Sequence, residues 1–445
     1  MHRAALTKAW RSSPSGVDDP TSERLDPRDV AELDWESPLA PMNIAAILQT
    51  GTEIDHDGLR RALAERVGAV PRLRQLVQRS PGRRRRSVWT PDPRFAIEDH
   101  VSTASCPPPG DENALLALAA AEASALLPRN RPLWRAVHVT GLRNGGGALI
   151  LVLHHAVADG LGSLAVLGQL VDAPTRRPPT ESGTGDEPSH PGSSAPQDPD
   201  DVSVRELLPS RHRRRPVRAL NTPIGAHRRL AVTTVPLGPL ITAAHRASAT
   251  VNDLVLVSVG DALRAVLEAE GQDLGSVVVS VPVSQRPATA TGELGNRVGV
   301  MPVRVPCTGP LARRLVDVAA TTRRRRPAAH RGDRLGVSLV TTGPVFSLLS
   351  RLGLFQWFIA HQRLVNTFVT NLHGPAQQLT LLGAPIIAMT PFSPIAGNVT
   401  VAFTAFSYAG TLSVTVVADA DRWPDATPIA TALGRALAAL TAPAG

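Results

Sequence analysis

The stretch "GGALILVLHHAVADGLGSL", Gly146–Leu164, decides how this chain is read. Ala148–Leu153 is an unbroken aliphatic run, short enough for a strand buried on both faces. His154 and His155 follow directly, then Asp159 and Gly160, and "LGSLAVLGQLVD" continues with helical patterning. A strand that turns into a helix is the basic unit of α/β architecture. Neighbouring strand residues face opposite ways, so regular geometry sends the two imidazoles to different sides. One supports the backbone or core while the other faces a cleft. Asp159 cannot be placed by alternation, because the chain is turning there, and Gly160 tolerates a sharp or crowded backbone where the helix begins.

A histidine held at a strand end, its tautomer set by neighbours, accepts a proton near neutral pH. A metal site needs further ligands, and none stands at a suggestive spacing. A nucleophile elbow needs G-x-S-x-G, which does not occur. On motif chemistry alone two readings stand: acid–base work by one imidazole, or a polar turn with no catalytic role.

The remaining composition narrows the class. A chain of 445 residues with 43% apolar content supports two or three packed cores, and with aromatics at 3% aliphatic side chains must fill them. The formal charge is +9, yet only Lys8 among 47 basic residues is lysine. Arginines cluster at Arg83–Arg86, Arg213–Arg215 and Arg323–Arg326. These runs read either as solvated loops and helix ends or as a footprint for an anionic partner. No nucleic-acid-binding pattern accompanies them. Cys106 and Cys307 form neither a metal spacing nor a disulfide framework. The N-terminal residues lack the apolar core of a secretory signal, and no run reaches the roughly 18 apolar residues of a membrane span. An intracellular protein is expected. "GPVFSLLSRLGLFQWFIAH", Gly343–His361, reads as core packing, a lipid-interface helix or an acyl-pocket lining.

Proline, glycine, serine and acids dominate Ala173–Asp201, which reads as an exposed linker. The expected division is a first lobe over 1–172, a linker and basic segment over 173–217, and a second lobe over 218–445. Within the first lobe, "HDGLRRALAERVGAV" and "NALLALAAAEASALL" predict helices, and "PLWRAVHVTGL" and "GGALILVLHH" consecutive strands. In the second, "ATVNDLVLVSVGDALRAVLEAEG" predicts a buried helix with Thr250 at its N-cap, Asp253 reciprocating and Gly271 as its stop. "SVVVSVPVS" predicts a strand, "VAFTAFSYAGTLSVTVVAD" a hairpin and "PIATALGRALAALTA" a closing helix.

H-H-x-x-x-D-G resembles the signature of the acyl-coenzyme A-dependent acyltransferase superfamily. Further segments in the same order extend the likeness over nearly the whole chain. They include "SPLAPMNIAAIL", "VWTPDPRFAIEDHV", "RNRPLWRAVHVTGL", "ATVNDLVLVSVGDALRAVL", "VPVSQRP", "LGNRVGVMPVRVP", "TNLHGPAQQLTLLGAPI" and "FSYAGTLSVTVVADADRW". Within that superfamily the chain most closely resembles the bacterial wax ester synthase/diacylglycerol acyltransferase family. The resemblance implies two chloramphenicol-acetyltransferase-like α/β lobes, each a mixed sheet with flanking helices, and an active-site tunnel between them.

It also implies O-acyl transfer from acyl-coenzyme A, a co-substrate rather than a cofactor, to diacylglycerol or a fatty alcohol. His155 would be the general base, His154 its support, and Asp159 and Gly160 structural, with Arg286 the expected partner of Asp159. Pro132, Leu133 and Trp134 would shape a substrate channel, although Trp134 reads equally as core. Asn252 and Asp253 would lie near the cleft, Asp253 also serving its helix cap. No metal is implied. The expected location is cytoplasmic, with peripheral contact to a membrane or lipid body. A specialised-metabolite acceptor and a non-catalytic lipid-binding protein are the competing readings. Two departures stand out: Asn43 occupies the usual histidine position after "PM", and Ala409 the usual asparagine position before a turn glycine, where positive φ suits alanine poorly.

Overall fold

The computed structural model describes residues 22–79, 87–172, 218–284, 298–331 and 355–442. Arg286, the expected linker and the arginine runs at 83–86 and 213–215 lie outside the described residues. In chain order the first half holds β1 (Glu23–Arg24), α1 (Pro27–Trp35), β2 (Asn43–Thr50), α2 (His56–Arg66), β3 (Gln75–Arg79), β4 (Ser87–Pro91) and β5 (Val101–Ser105). It continues with α3 (Glu112–Ser124), β6 (Trp134–Thr140), β7 (Gly147–His154) and α4 (Gly160–Leu170). The second half holds β8 (Arg228–Pro236), α5 (Leu237–Arg246), α6 (Val251–Ala269), β9 (Ser276–Ser284), β10 (Val298–Pro306) and α7 (Leu311–Arg331). After these come α8 (Phe355–His361), β11 (Thr367–His373), β12 (Thr380–Leu381), β13 (Ala384–Phe392), β14 (Val401–Tyr408), β15 (Thr411–Asp419) and α9 (Thr427–Thr441).

Two six-stranded sheets organise the described residues, in orders β12-β13-β2-β7-β6-β5 and β10-β9-β11-β14-β15-β8, beside a small sheet β1-β4-β3. Each large sheet is mixed: β5 runs parallel to β6, and β11 parallel to both β9 and β14, among antiparallel neighbours. The architecture is the expected two-lobed α/β arrangement. β7 lies at the centre of the first sheet and is buried along its whole length. That is why its sequence carries no polar alternation. Its antiparallel partner β2 pairs Asn43 with His154 and Thr50 with Gly147, and β6 pairs Trp134 with Leu153.

Helix signals act as their chemistry requires. The Asp111 carboxylate accepts the Ala114 N–H at the start of α3, and Thr250 with Asp253 closes a reciprocal capping box on α6. After α2 the chain tightens into 3₁₀ turns at Val67–Ala69 and Pro71–Arg74, so that helix ends earlier than its apolar pattern implies. The β14–β15 hairpin turns through Ala409 and Gly410 at φ 46° and 84°, placing alanine in the left-handed region it disfavours.

One feature of the division differs from expectation. β12 and β13 belong by chain order to the second half, yet β13 pairs along β2 and completes the first sheet. The first core accordingly includes Ile386 and Phe392 of that crossover, and also Leu372, Phe406 and Tyr408 of the second half. Residues 218–442 therefore do not form a self-contained lobe. The two halves are laced through a shared sheet.

Candidate active site

The turn after β7 is held by main chain on both sides. The Leu133 carbonyl accepts the His154 N–H at 3.0 Å, and the Met42 carbonyl accepts the His155 N–H at 2.7 Å. The chain then folds back, with the Val157 N–H on the His154 carbonyl at 2.8 Å. Asp159, fully buried, caps α4: its Oδ1 accepts the Gly162 N–H at 2.8 Å. A Cβ added at Gly160 would stand 3.2 Å from Leu372 Cδ2 on β11 of the other sheet, so a bare glycine lets the sheets approach here.

The two histidines part company as strand alternation requires. The His154 side chain is wholly buried, whereas that of His155 is 21% exposed. His154 Nδ1 accepts the Ala156 N–H at 3.0 Å, which places its proton on Nε2. Nε2 then donates to Glu36 Oε1, 3.3 Å away. Arg129 also bonds Glu36, through Oε2. The Arg129 nitrogen lies 3.4 Å from His154 Nε2, but both are donors, so the carboxylate between them is what joins the group. Burial depresses the His154 pKa; the bond to Glu36 opposes that and the Arg129 charge reinforces it, with a net lowering. Burial alone would raise Glu36, but the His154 bond, the nearby charges of His154 and Arg129 and the Met42 N–H hold it below its ordinary value. His154 is thus a neutral, fully engaged imidazole that fixes the turn. It is not free to move protons.

His155 stands in a different setting. Its Nδ1 lies 3.7 Å from Oε1 of Glu32, a residue of α1 that is only 7% exposed. Glu32 and Glu36 are four residues apart, so one face of the α1 segment offers a carboxylate to each histidine. Nearby, a narrow apolar crevice runs between the sheets, lined by Leu153 of β7, Gly160 and Leu167 of α4, Leu372 of β11, Phe392 of β13 and Thr404 of β14. His155 does not itself line this crevice; Leu153 and Gly160, on either side of the motif, do.

The other expected site residues fall differently. Pro132, Leu133 and Trp134 are all buried. Trp134 donates its indole N–H to the Leu73 carbonyl at 2.8 Å and stacks on His100 with ring centroids 4.5 Å apart. It packs as core, and Leu133 contributes the carbonyl that anchors His154; none of the three lines the crevice beside the motif. Asp253 spends Oδ2 on the Thr250 N–H and hydroxyl and Oδ1 on the Thr322 hydroxyl at 2.7 Å, leaving a structural residue rather than a substrate ligand. Asn252 is half-buried in the first turn of α6. Asn43 donates to the Ala123 and Ala125 carbonyls, both at 2.9 Å, and so secures the end of α3. Arg286 lies outside the described residues.

Sequence reading missed Glu32, Glu36 and Arg129. Their only signal was the i, i+4 acid spacing in "DVAELDWE", indistinguishable from a solvated helix face. Among the described residues, no three His, Cys, Asp or Glu side chains converge as metal ligands. No helix among them is long and apolar enough to cross a membrane.

Comparison with known proteins follows the same lines. The model of the wax ester synthase/diacylglycerol acyltransferase catalytic domain matches residues 25–209, and that of the WS/DGAT C-terminal domain matches residues 294–441. A probable diacylglycerol O-acyltransferase of Mycobacterium tuberculosis is 27% identical over 421 residues, covering 88% of this chain and 89% of its own. A putative diacylglycerol O-acyltransferase of the same organism is 29% identical over 468 residues, covering 95% and 92%. Among solved structures, the wax ester synthase/diacylglycerol acyltransferase of Marinobacter aquaeolei superposes with a TM-score of 0.69 at 22% identity, covering 94% of this chain and 98% of that one. The first condensation domain of the CDA synthetase superposes at 0.61 with 17% identity, covering 95% and 96%.

Proposed function

The chain belongs to the wax ester synthase/diacylglycerol acyltransferase family, and on that premise we propose that it moves a long-chain acyl group from acyl-coenzyme A to diacylglycerol or a fatty alcohol, with His155 as general base. The observation that carries the assignment of the base is the division of labour in the motif. His154 is buried, neutral and bonded at both nitrogens, while His155 stands partly exposed at the strand end.

The chemistry is direct transfer. His155 takes the proton of the acceptor hydroxyl as its oxygen bonds to the thioester carbonyl carbon. The tetrahedral oxyanion collapses, the carbon–sulfur bond breaks, and the imidazolium returns the proton to the departing thiolate. Ester and free coenzyme A thiol result, and no acyl-enzyme forms. A well-placed base supplies about 10²- to 10⁴-fold. The rest falls to positioning and oxyanion stabilisation. Peripheral contact with a lipid surface is supported by Trp357 of α8, an indole that is 63% exposed.

The test is thiol release from palmitoyl-coenzyme A, with hexadecanol and with dioleoylglycerol carried in phospholipid vesicles. Turnover with at least one acceptor is expected, together with co-sedimentation on the vesicles. His155→Ala should lose at least about 100-fold in kcat while melting as the wild type does. Full activity in that variant ends the mechanism, and thiol release with neither acceptor ends the functional assignment.

A further inference from the structure

We propose that Glu32 is the positioning residue of His155: it holds the imidazole with hydrogen on Nδ1 and compensates the positive charge that develops when Nε2 takes the acceptor's proton. The inference rests on His155 being the base, as proposed above, and assigns a residue that the motif itself does not contain.

The geometry carries it. The Glu32 oxygen nearest the ring lies 3.7 Å from Nδ1. The two ring nitrogens point in different directions, so a carboxylate beside Nδ1 orients the Nε2 lone pair away from itself. At 3.7 Å the contact is an ion-pair distance rather than a hydrogen bond, and it shortens when the ring becomes cationic. Glu32 sits in a low-exposure setting, where its field on the ring is screened less than at a surface.

α1 supports the assignment independently. A nine-residue helix that buries Asp29 and Glu32 together is costly unless those carboxylates act on something. Its C-cap residue, Glu36, visibly does so, locking His154. Glu32, one turn earlier, faces the next residue of the same motif. The helix therefore treats the two histidines differently. One receives a carboxylate shared with an arginine; the other receives a carboxylate of its own at ion-pair distance from Nδ1. Among the described residues, the charged groups of the α1 segment are Arg28, Asp29, Glu32, Asp34 and its C-cap Glu36, and the motif's other titratable neighbours include His154, Arg129 before β6 and Asp159 at the start of α4.

Glu32→Gln and Glu32→Asp in the full chain test this. With palmitoyl-coenzyme A and the better acceptor, Glu32→Gln is expected to lower kcat by about 10- to 100-fold. KM for the thioester should stay within about twofold, since the ground state does not use the charge. The acid limb of kcat/KM against pH should move to lower pH, because an imidazolium without its carboxylate is easier to deprotonate. Glu32→Asp should recover part of the rate. Wild-type kcat with an unmoved acid limb in Glu32→Gln overturns the assignment. Loss of rate that is equal in both variants, with no movement of the limb, overturns it also and makes the residue structural. A titration of the His155 ring proton by NMR, assigned with His155→Ala, reads the same coupling without turnover. If the wild-type chain transfers no acyl group, the functional reading fails while this titration still decides the inference: an identical midpoint in wild type and Glu32→Gln refutes it.

Discussion

Asp172 closes the first half of the chain, and its replacement by asparagine is predicted to loosen the crossover that laces the two halves. Its carboxylate accepts from the Gly383 N–H at 2.8 Å, the Thr380 hydroxyl at 2.8 Å, the Leu382 N–H at 3.1 Å and Arg66 at 2.7 Å. These groups frame the Leu382–Gly383 turn between β12 and β13, where both residues have positive φ, 53° and 78°. Leucine in that region costs about 1–2 kcal/mol, so the turn needs an external hold. Burial alone raises the Asp172 pKa, but the bonds from Gly383, Arg66, Thr380 and Leu382 outweigh it and bring it to about 2, against an ordinary 3.8. At about 1.4 kcal/mol per unit, that difference corresponds to about 2 kcal/mol of stability. The side chain is 21% exposed and its bonds lie near the surface, so solvent screening makes that figure an upper bound.

The sign follows from the depressed folded value. The contribution is fully present above the unfolded pKa near 4 and is lost as pH falls through about 2. Urea unfolding at neutral pH should show Asp172→Asn weaker than wild type by up to about 2 kcal/mol. The gap should close as both are titrated from about pH 4 towards pH 2. A variant of equal stability at neutral pH refutes the reasoning, as does a gap that stays constant down the acid range.

The Asp159 cap is separable from its charge: Asp159→Ala should cost about 1–2 kcal/mol more than Asp159→Asn, which keeps an acceptor for the Gly162 N–H. Equal melting temperatures in the two would show that the cap is not what the residue supplies; loss of acyl transfer in both variants, with stability kept in the asparagine one, would point to its charge. Ala409→Asn should stabilise the chain by about 0.5–1 kcal/mol, since asparagine accepts the φ of 46° that alanine resists. A lower melting temperature in that variant would contradict the strain assigned to the turn.

The elements most legible in the sequence are those specified by local chemistry. β7 was readable because a strand covered on both faces must be apolar throughout, and α6 because its capping box and terminal glycine are local signals. The β14–β15 turn announced even its discomfort through Ala409. The separation of His154 from His155 needed only the two-residue period of a strand. Much less legible was the second half's contribution to the first sheet. A strand's sequence records what covers its faces, not which edge it will pair with, so "APIIAMTPF" reads the same in either sheet.

The site divides in the same way. Sequence by itself determined that the two imidazoles would leave the end of a buried strand in different directions, because the apolar run fixes the strand and side chains alternate along it. Which imidazole is spent on structure, and by what, was decided only by tertiary packing. Glu32, Glu36 and Arg129 come from segments roughly 25 to 125 residues away from the motif, and nothing in a solvated-looking "DVAELDWE" marks its acids as buried. Trp134 and Asp253 show the converse: residues that carry a family signature turn out to hold the fold, because a buried indole and a capping carboxylate must satisfy their own hydrogen bonds before they can serve a ligand. Local pattern sets the direction in which a side chain leaves the backbone; long-range contacts set the electrostatic environment it enters, and the reactivity of an imidazole depends on both.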